Sequence, residues 1–411
     1  MIRVAMISPL PPQKVGESTY SYNLISELAA TGKVKIIAIA PYNAKLLESE
    51  IPNVETCAVW NNTSLLYPFT LFRLIRKLRV HLVHVQFGPY GKVYGGKFGE
   101  NMLLLLILLK LSGIPTTTTL HSTWMPQQVI RRIRNYHGMG GLAIFAPSIF
   151  HLFTRLLSLG STTIQLSTSK IDSLLRKRFL DEYGVSQKKV LEIPHPCNYA
   201  DIIAPKQESL KELKLEQREI ILVFGFIRRE KGIECAIEAM KHVREKVPEA
   251  ILLVAGKAKD EDGRRYLKEL KDLCRKEQLG ENVKFESQFI SVERVPYYFC
   301  ASSIILAPYT ESVGASGPIH NSAGYGVPIV ASDVGLHMRE SIGGNLVLFK
   351  SEDSQDLAAK IIEVLTAREK ARKIGERQAR YAEKESWNLA ANRTLEYYRT
   401  TLDLAKHSAN Q

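Results

Sequence analysis

The feature that most constrains the fold is a repeated alternation of short apolar runs with longer amphipathic stretches. The run IRVAMIS (Ile2–Ser8) is followed by STYSYNLISELAATG (Ser18–Gly32), whose apolar residues recur at helical spacing and whose final glycine suits a helix end. Further strands are predicted at VKIIAIAP, HLVHVQF, TTTTLHS, TIQLST and VLEIPH. Strands that alternate with helices predict a parallel, doubly wound α/β sheet.

The alternation starts again near Glu219, after a polar, proline-containing stretch at Asp201–Lys214. Strand and helix patterns then follow in turn, from EIILVFGF (Glu219–Phe226) through AILLVAG and PIVAS to one long helix at SQDLAAKIIEVLTAREKARKIG. A chain of 411 residues is too long for one compact core. We therefore expect two Rossmann-like domains joined near Asp201–Lys214, with ligands bound in a cleft at the carboxyl ends of both sheets.

Composition disfavours several classes of protein. The longest apolar run, Met102–Leu109, is much shorter than the roughly 20 residues of a membrane span, and it predicts a buried helix. The first residues, MIRVAMISPL, have the pattern of a strand and not of an export signal. Five cysteines are scattered without a C-x-x-C pair, which favours free thiols in a reducing compartment. We therefore expect a cytoplasmic protein.

The net charge of +13 lies almost entirely in the first half, where residues 1–200 hold 22 Lys and Arg against 10 Asp and Glu. Such a field attracts nucleic acid, anionic lipid or a phosphorylated substrate, although a cationic surface without a partner fits as well. Two stretches set cations among aliphatic residues at helical spacing, LFRLIRKLRV (Leu71–Val80) and VIRRIRNYHG (Val129–Gly140). They predict an interfacial helix on anionic lipid or a groove for a phosphorylated lipid acceptor, or else ordinary surface helices. No nucleic-acid module is recognisable, so nucleic acid is not an expected partner.

Two loops in the second half suit an anion. The stretch Thr310–Gly335 combines an acid with a Gly/Ser-rich turn in front of a predicted helix, where the backbone N–H groups at Ser316–Ile319 would be free to bind an anion. The loop FGFIRREKG (Phe224–Gly232) follows a strand and carries Arg228 and Lys231, which suit a diphosphate. The same letters also fit a solvated charged loop.

Three other motifs admit two interpretations each. PPQKVGEST opens the first helix, where Gly16 would let the backbone approach a ligand, while Ser18 fits a helix N-cap. His121, in TLHSTW just after a strand, fits a hydrogen-bonding group for a substrate or a structural histidine. Asp260 and Asp262 form a D-x-D pair that suits a metal ion but is more typical of a solvated loop.

The ordered set of motifs resembles the retaining, nucleotide-sugar-dependent glycosyltransferases of family 4, whose GT-B architecture has two Rossmann-like domains facing a central cleft. The segments that carry the resemblance are, in order, VGESTYSYNLISELA, TLHS, FGFIRREKGIECAIEAM, LLVAG, ENVKFESQFISVERVPYYFCAS, ILAPYTES and GYGVPIVASDVG. The resemblance implies an N-terminal acceptor-binding domain at 1–205, a donor-binding domain at 206–387, and a final helix at 388–411 that packs back on the first domain.

The resemblance also implies roles for particular residues. Arg228 and Lys231 would grip the donor diphosphate, and His121 and Glu311 would hydrogen-bond the transferred sugar; these four are the expected catalytic residues. The remaining expected donor-binding residues are Gly16, Glu17, Gly225, Ser316, Gly317, Pro318, Ile319 and Asn321. Amides and cations would stabilise the departing diphosphate, while the acceptor hydroxyl attacks from the leaving group's own side.

Two departures from the family pattern bear on the donor. Phe226 stands where the family usually has an arginine, a task that Arg228 can take over. Asn321 stands where the family's second acid commonly binds the nucleotide ribose, and it retains hydrogen-bonding atoms for hydroxyls.

The resemblance implies an enzyme that needs no metal and no cofactor beyond its nucleotide-sugar co-substrate. Its acceptor would be a glycan or a lipid-linked molecule, and peripheral association with the inner face of a membrane is a further expectation. The alternatives are a catalytically weak nucleotide-sugar-binding protein and a nucleotide-sugar epimerase.

Overall fold

The structure is a computed structural model that describes residues 1–13, 15–44, 46–47, 50–89, 91–96, 98–123, 129, 145–168, 170–198, 204–258, 260–312 and 314–409. The chain divides into two compact units, Met1–His195 with Trp387–Gln411 (unit 1) and Pro196–Ser386 (unit 2). Both contain a parallel sheet with interleaved helices, which confirms the expected α/β fold class. The predicted basic helix VIRRIRNYHG lies outside the described residues apart from Val129.

Unit 1 contains a parallel sheet of seven strands in the order β3-β2-β1-β4-β5-β6-β7. The strands are β1 (Ile2–Ile7), β2 (Val34–Pro41), β3 (Val54–Trp60), β4 (Leu82–Phe87), β5 (Thr116–Leu120), β6 (Thr163–Thr168) and β7 (Val190–Pro194). Most are buried on both faces, as expected for parallel strands covered by helices. The edge strand β3 is missing from the sequence-based prediction because its partly exposed residues form no continuous apolar run.

The helices in the first part of unit 1 are α1 (Gly16–Ala30), α2 (Tyr67–Leu78), α3 (Gly91–Tyr94), α4 (Asn101–Leu111), α5 (Ala146–Gly160) and α6 (Leu174–Tyr183). Right-handed crossovers put α1 on one face of the sheet and α2, α4 and α5 on the other. Helix α1 begins at Gly16 behind an N-cap at Val15, so the prediction of Ser18 as N-cap is wrong. Gly32 follows the helix with a positive φ, as expected for a glycine at a helix end.

Unit 2 contains six parallel strands in the order β10-β9-β8-β11-β12-β13. They are β8 (Glu219–Phe224), β9 (Ala250–Ala255), β10 (Val283–Glu286), β11 (Ser302–Ala307), β12 (Ile329–Ser332) and β13 (Val347–Phe349). Its helices are α7 (Lys206–Glu212), α8 (Ile233–Lys246), α9 (Glu261–Lys276), α10 (Val295–Ala301), α11 (Gly317–Ser322), α12 (Gly335–Arg339), α13 (Ser354–Thr366) and α14 (Arg368–Lys384). The chain then returns to unit 1 in α15 (Trp387–Ala409).

Three predicted elements differ from the structure. The polar stretch expected to be a linker contains α7, whose Leu210 is buried in unit 2. The expected single long helix is two helices, because Ala367 between them has a non-helical ψ of 64°. The expected buried helix is α4, but its Leu104 and Ile107 are exposed. Among the described helices, none is long and apolar enough to cross a bilayer.

The last helix, α15, contributes to the core of unit 1. It packs against α1, and its Leu395 and Tyr398 are buried with Leu24 and Leu28 of that helix. Removal of such apolar surface from water stabilises a fold by about 25 cal/mol per Å². The N-terminal sheet is therefore held together by a helix that lies more than half the chain away in sequence.

Candidate functional site

The sheet of unit 2 has a topological switch point between β8 and β11. From β8 the chain crosses to β9 on one side, whereas β11 lies on the other side of β8 and leads to β12. The loops that follow β8 and β11 are therefore adjacent at the carboxyl end of the sheet. Open α/β sheets bind ligands at this position.

A glycine brings these two loops into contact. Gly232, at the end of the loop after β8, has a φ of +58°, and a Cβ on it would lie 2.1 Å from the carbonyl oxygen of Pro308 after β11. The Thr310 N–H also donates a hydrogen bond to the Glu230 carbonyl oxygen at 3.1 Å. Only glycine fits this close approach at a positive φ, so the sequence of the loop fixes the distance between the two loops.

Lys231 is the buried cation of the site. Its Nζ donates a hydrogen bond to Tyr309 Oη at 2.6 Å and lies 3.9 Å from the centre of the Tyr309 ring. The side chain is only 7% exposed, and no carboxylate among the described residues is within ion-pair distance of it. Lysine is rarely buried without a paired charge, and a buried charge without one is costly. The arrangement therefore favours an anion next to Lys231.

Tyr309 links the lysine to the Gly/Ser-rich turn. Its hydroxyl lies 2.9 Å from Ser316 Oγ, and its carbonyl oxygen accepts a hydrogen bond from Ser332 Oγ at 2.6 Å. Sequence analysis did not identify Tyr309 as a site residue, because its role depends on a contact with a lysine 78 positions earlier. Its place directly after a predicted strand is the signal that was available.

Arg228 lies in the same loop as Lys231 but is more exposed. Its Nη1 is 3.1 Å from Glu230 Oε1, while its Nε is buried without a hydrogen-bond partner among the described residues. A buried N–H without a partner is costly. Next to this loop, Gly225 has a φ of +109°, and a Cβ there would lie 3.4 Å from Pro318 Cγ.

Helix α11 begins at Gly317 with Ser316 as its N-cap. Pro318 has no N–H, so the expectation of an amide row at Ser316–Ile319 needs correction: only three residues of that row can donate. The Ile319 side chain is fully buried, so we expect Ile319 to contact a ligand through its backbone N–H and not through its side chain. Asn321 Oδ1 accepts a hydrogen bond from Asn198 Nδ2 at 3.1 Å, so Asn198 orients that side chain.

The remaining acids of the expected site are in different elements. Glu311 lies in the loop after β11 and is partly buried. Glu17 is buried in the first turn of α1, directly after Gly16. Asp260 caps α9 by accepting a hydrogen bond from the Gly263 N–H at 3.0 Å, and Asp262 pairs with Arg265 on the helix surface.

His121 of unit 1 follows β5 and is held by a neighbouring strand. Its Nε2 donates a hydrogen bond to Gln86 Oε1 at 2.7 Å, and its ring packs edge-on against Tyr20 of α1 at 4.6 Å. Burial lowers the pKa of His121 to about 3, so the ring is neutral at physiological pH. With Nε2 donating, Nδ1 is the acceptor, and it has no hydrogen-bond partner among the described residues.

Gln86 connects His121 to a second buried histidine. Gln86 Nε2 lies 3.1 Å from His84 Nε2, and His84 Nδ1 lies 2.8 Å from Tyr398 Oη of α15. Burial, and secondarily repulsion between the protonated forms of His84 and His121, lowers the pKa of His84 to about 3. Sequence analysis missed His84 and Gln86, although two polar residues within a strand expected to be buried were the signal available.

Comparisons with known protein sequences match part of the chain. Residues 205–381 match the family model described as glycosyl transferases group 1. The alpha-1,3/1,6-mannosyltransferase alg2 of Schizosaccharomyces pombe is 34% identical over 99 residues, which are 23% of this chain and 20% of that protein. The match thus spans only about a fifth of the length of that relative.

Solved structures resemble the chain over nearly all its length. Sucrose-phosphate synthase from Thermosynechococcus elongatus has a TM-score of 0.73 at 18% identity and covers 97% of this chain and 98% of its own. Anabaena Alr3699/HepE, solved in complex with UDP-glucose, has a TM-score of 0.69 at 15% identity, with full coverage of both chains. At these identities the likeness shows the fold, and it is the fold of glycosyltransferases that the motifs predict.

Proposed function

Because its similarities support membership of the group 1 glycosyltransferase superfamily, we propose that this protein is a retaining glycosyltransferase. It moves a hexose from a nucleotide-diphosphate sugar to a hydroxyl of a glycan or a lipid-linked acceptor, in the cytoplasm and without a metal ion. The observation that carries the proposal is Lys231, a buried ammonium beside Tyr309 with no described carboxylate to balance it. The donor diphosphate supplies the missing negative charge.

In this mechanism the cations act on the leaving group. The bond between the sugar's anomeric carbon and the diphosphate oxygen breaks, and negative charge grows on that oxygen. Lys231 and Arg228 stabilise that charge as it develops, and such stabilisation by preorganised groups is usually the largest contribution to catalysis. The acceptor hydroxyl forms the new bond on the same face of the sugar, and its proton passes to the departing phosphate oxygen.

The other expected residues bind the donor. Glu311 accepts hydrogen bonds from sugar hydroxyls, and Asn321 binds the nucleotide ribose in place of an acid. The amides of Ser316, Gly317 and Ile319 contact the phosphates. His121, neutral and with Nδ1 as its acceptor, takes a hydrogen bond from a sugar hydroxyl. The UDP-glucose bound by Anabaena Alr3699/HepE and the mannosyl transfer named for alg2 support nucleotide hexoses as the donors to screen first.

The test is calorimetric titration of UDP- and GDP-hexoses into the protein and its Lys231→Met variant. Methionine keeps most of the side chain's length and removes the charge. Loss of a charge-assisted contact of about 1.5–3 kcal/mol should weaken binding of the cognate donor roughly 10- to 150-fold. The control is Lys276→Met, on the exposed surface of α9, which should leave affinity unchanged. Equal affinities of wild type and Lys231→Met would remove Lys231 from the donor site.

A second measurement separates transfer from its alternatives. Incubation of the cognate donor with the protein should release nucleoside diphosphate slowly by hydrolysis, and EDTA should not stop this. Binding without any release would indicate a nucleotide-sugar-binding protein, and conversion to an epimeric nucleotide sugar would indicate an epimerase. A strict need for added divalent ion would overturn the metal-free mechanism.

A further inference from the structure

We propose that unit 1 binds the surface of an anionic lipid bilayer through the outward surfaces of α2, α4 and α5, independently of the proposed transferase activity. We call this surface the apolar-basic face. Its exposed apolar side chains include Leu66, Phe69, Leu104, Ile107, Ile149 and Leu152. Its cations are Arg73, Arg76, Lys77, Lys110 and Arg155.

The three helices form one continuous surface. They lie on the same face of the sheet, and α4 packs against α2 on one side and α5 on the other. The approach of α4 and α5 is close, because a Cβ on Gly160 of α5 would lie 2.8 Å from the Cβ of Leu106. Side chains that point away from the sheet on these helices are therefore neighbours.

Helix α4 is apolar on both of its sides. Its inward residues are buried: Met102, Leu105, Leu106 and Leu109. On the opposite side Leu104, Ile107 and Leu111 are 37%, 38% and 80% exposed, and their spacing of three and four residues puts them on one side of the helix. A helix between a core and water normally has a polar outer side. The outer side of α4 is therefore suited to a second apolar environment.

Helix α5 repeats this pattern beside α4. Its buried residues include Phe150, Phe153 and Leu157, which face the sheet. Ile149 and Leu152 on the opposite side are 47% and 58% exposed. Together with the residues at the start of α2, these side chains make a contiguous apolar area of a kind that soluble surfaces rarely expose without a partner.

The charge of the face has only one sign. The sequences of α2, α4 and α5 contain no Asp or Glu, and the five cations are all exposed. No carboxylate among the described residues forms an ion pair with any of the five. The positive field of this face is therefore not compensated by the protein, and it attracts an extended anionic surface.

A bilayer interface with anionic headgroups matches both properties at once. Apolar side chains enter the boundary between headgroups and acyl chains, while lysines and arginines meet lipid phosphates. A second copy of the chain docked face to face would oppose five cations with five cations, which disfavours a dimer through this face. The lipid surface is the occupant that satisfies the apolar and the charged side chains together.

Vesicle flotation tests the proposal with the full-length protein and no donor sugar. We expect flotation with phosphatidylcholine–phosphatidylglycerol vesicles, little with phosphatidylcholine alone, and weaker binding at high salt because screening shortens the attraction. Changing all five cations of the face to Gln should lower the partition coefficient roughly tenfold or more, since each contributes to attraction by anionic lipid. Changing Ile149→Gln and Leu152→Gln should lower it as well, and that loss should persist at high salt.

The matched control variants carry their substitutions in unit 2. Five exposed cations of α9 are changed to Gln to give the same net charge: Arg264, Lys268, Lys271, Arg275 and Lys276. Two exposed apolar residues, Phe289 and Val292, are changed to Gln to match the apolar pair. Both control variants should float like the wild type. If the control variants lost as much vesicle binding as the test variants, the binding would depend only on net charge or general hydrophobicity, and the proposal would be overturned.

A tryptophan at the face reports insertion. Ile149→Trp should show blue-shifted emission and quenching by brominated lipid on anionic vesicles, while Val292→Trp should show neither. Absence of any preference for anionic vesicles would overturn the proposal. So would self-association in sedimentation experiments that is lost with the Ile149 and Leu152 changes, because the face would then bind a second copy. Failure of donor binding in titrations would leave the flotation result intact and concern the proposed function alone.

Discussion

The two units share a fold but differ in whether acidic residues accompany the cations on their helices. On the surface of unit 2, cations form ion pairs along the helices, such as Arg264 with Glu261 on α9 and Arg372 with Glu369 on α14. Lys231 of unit 2 differs from these surface cations, because it is buried and has no carboxylate partner among the described residues. In unit 1 the exposed cations of the apolar-basic face have no described carboxylate partner, and α2, α4 and α5 contain no Asp or Glu.

The difference indicates what each unit can bind. Exposed ion pairs contribute only about 0–1 kcal/mol of stability each, but they cancel the field of the surface. A buried cation then selects one small anion that can reach it, because desolvation strengthens the attraction. An exposed row of unpaired cations has no such selectivity and attracts any extended anion.

The first prediction concerns a substitution that disrupts the loop carrying Lys231. Gly232→Ala puts a Cβ 2.1 Å from the Pro308 carbonyl oxygen at a φ of +58°. Backbone strain at such a position costs about 1–3 kcal/mol, and the steric clash adds to it. We expect a lower melting temperature of unit 2 by calorimetry and loss of donor binding, because Lys231 moves with its loop.

The control for this change is Gly280→Ala. A Cβ on Gly280 meets no atom within 4 Å, and its φ is not in the left-handed region. It should change the stability by less than about 0.5 kcal/mol. If Gly232→Ala were as mild as this control, the two loops would not be held together by the close approach described above.

The second prediction concerns how the stability of unit 1 depends on pH. Burial lowers the pKa values of His84 and His121 to about 3, whereas an unfolded histidine titrates near 6.5. As pH falls below about 6.5 the unfolded chain takes up protons that the folded unit does not. The stability present above that pH is therefore lost toward pH 3, at up to about 1.4 kcal/mol per pH unit for each histidine.

Tryptophan fluorescence isolates unit 1 in this measurement, because Trp60 and Trp387 belong to it and residues 196–386 contain no tryptophan. His84→Gln should reduce the slope of the unfolding free energy against pH by the contribution of one proton, which is up to about 1.4 kcal/mol per pH unit. Unit 2 also has buried histidines with lowered pKa values, His320 and His337, but they should not affect this signal. A slope that is the same in the variant and the wild type would contradict a neutral buried His84.

The third prediction concerns how Gln86 positions His121. Gln86→Met removes the oxygen that accepts from His121 Nε2–H, so the ring can adopt either tautomer. With the cognate donor we expect a drop in kcat/KM of about tenfold, in line with the cost of a broken buried hydrogen bond. Thr118→Val removes the hydrogen bond between Thr118 of β5 and Ser161, the residue after α5, and it should leave kcat/KM unchanged.

A conservative change distinguishes positioning from a loss of packing. Gln86→Glu keeps an acceptor for His121 Nε2–H and adds a negative charge that raises the pKa of the ring. At alkaline pH its activity should therefore exceed that of Gln86→Met. As the pH is lowered, its activity should be lost at a higher pH than that of the wild type. A pH profile identical to that of the wild type would indicate that Gln86 does not act through His121.

Most strands could be predicted from the sequence, because parallel strands buried on both faces are continuous apolar runs. VKIIAIAP is an example, since the run and β2 coincide at Val34–Pro41. The exceptions are physical as well: β3 is partly exposed at an edge, and β13 has only three residues. Neither leaves an apolar run that stands out from its surroundings.

The sites were less predictable, because burial depends on tertiary contacts. The letters RREK fit a solvated loop as well as a diphosphate grip, and only the contact with Tyr309 shows that Lys231 is buried. Likewise an apolar run such as α4 predicts burial, but which of its sides a neighbour covers depends on the packing of α2 and α5. The roles of His121 and Glu311 stay predictions that rest on the family resemblance.

The last prediction has the smallest expected effect and concerns stability at the apolar-basic face. Ile149 and Leu152 are 47% and 58% exposed, so changing both to Gln should alter the unfolding free energy of unit 1 by less than about 0.5 kcal/mol. Phe153, one residue further along α5 and only 6% exposed, provides the contrast. Phe153→Ala should cost about 3–5 kcal/mol, as expected for an aromatic side chain removed from a core. Urea unfolding followed by tryptophan fluorescence measures both variants under the same conditions. If the double change at the surface cost as much as Phe153→Ala, these side chains would be packed within the protein itself. The outward side of α5 would then not be available to a bilayer, and the contrast between the two units would reduce to charge alone.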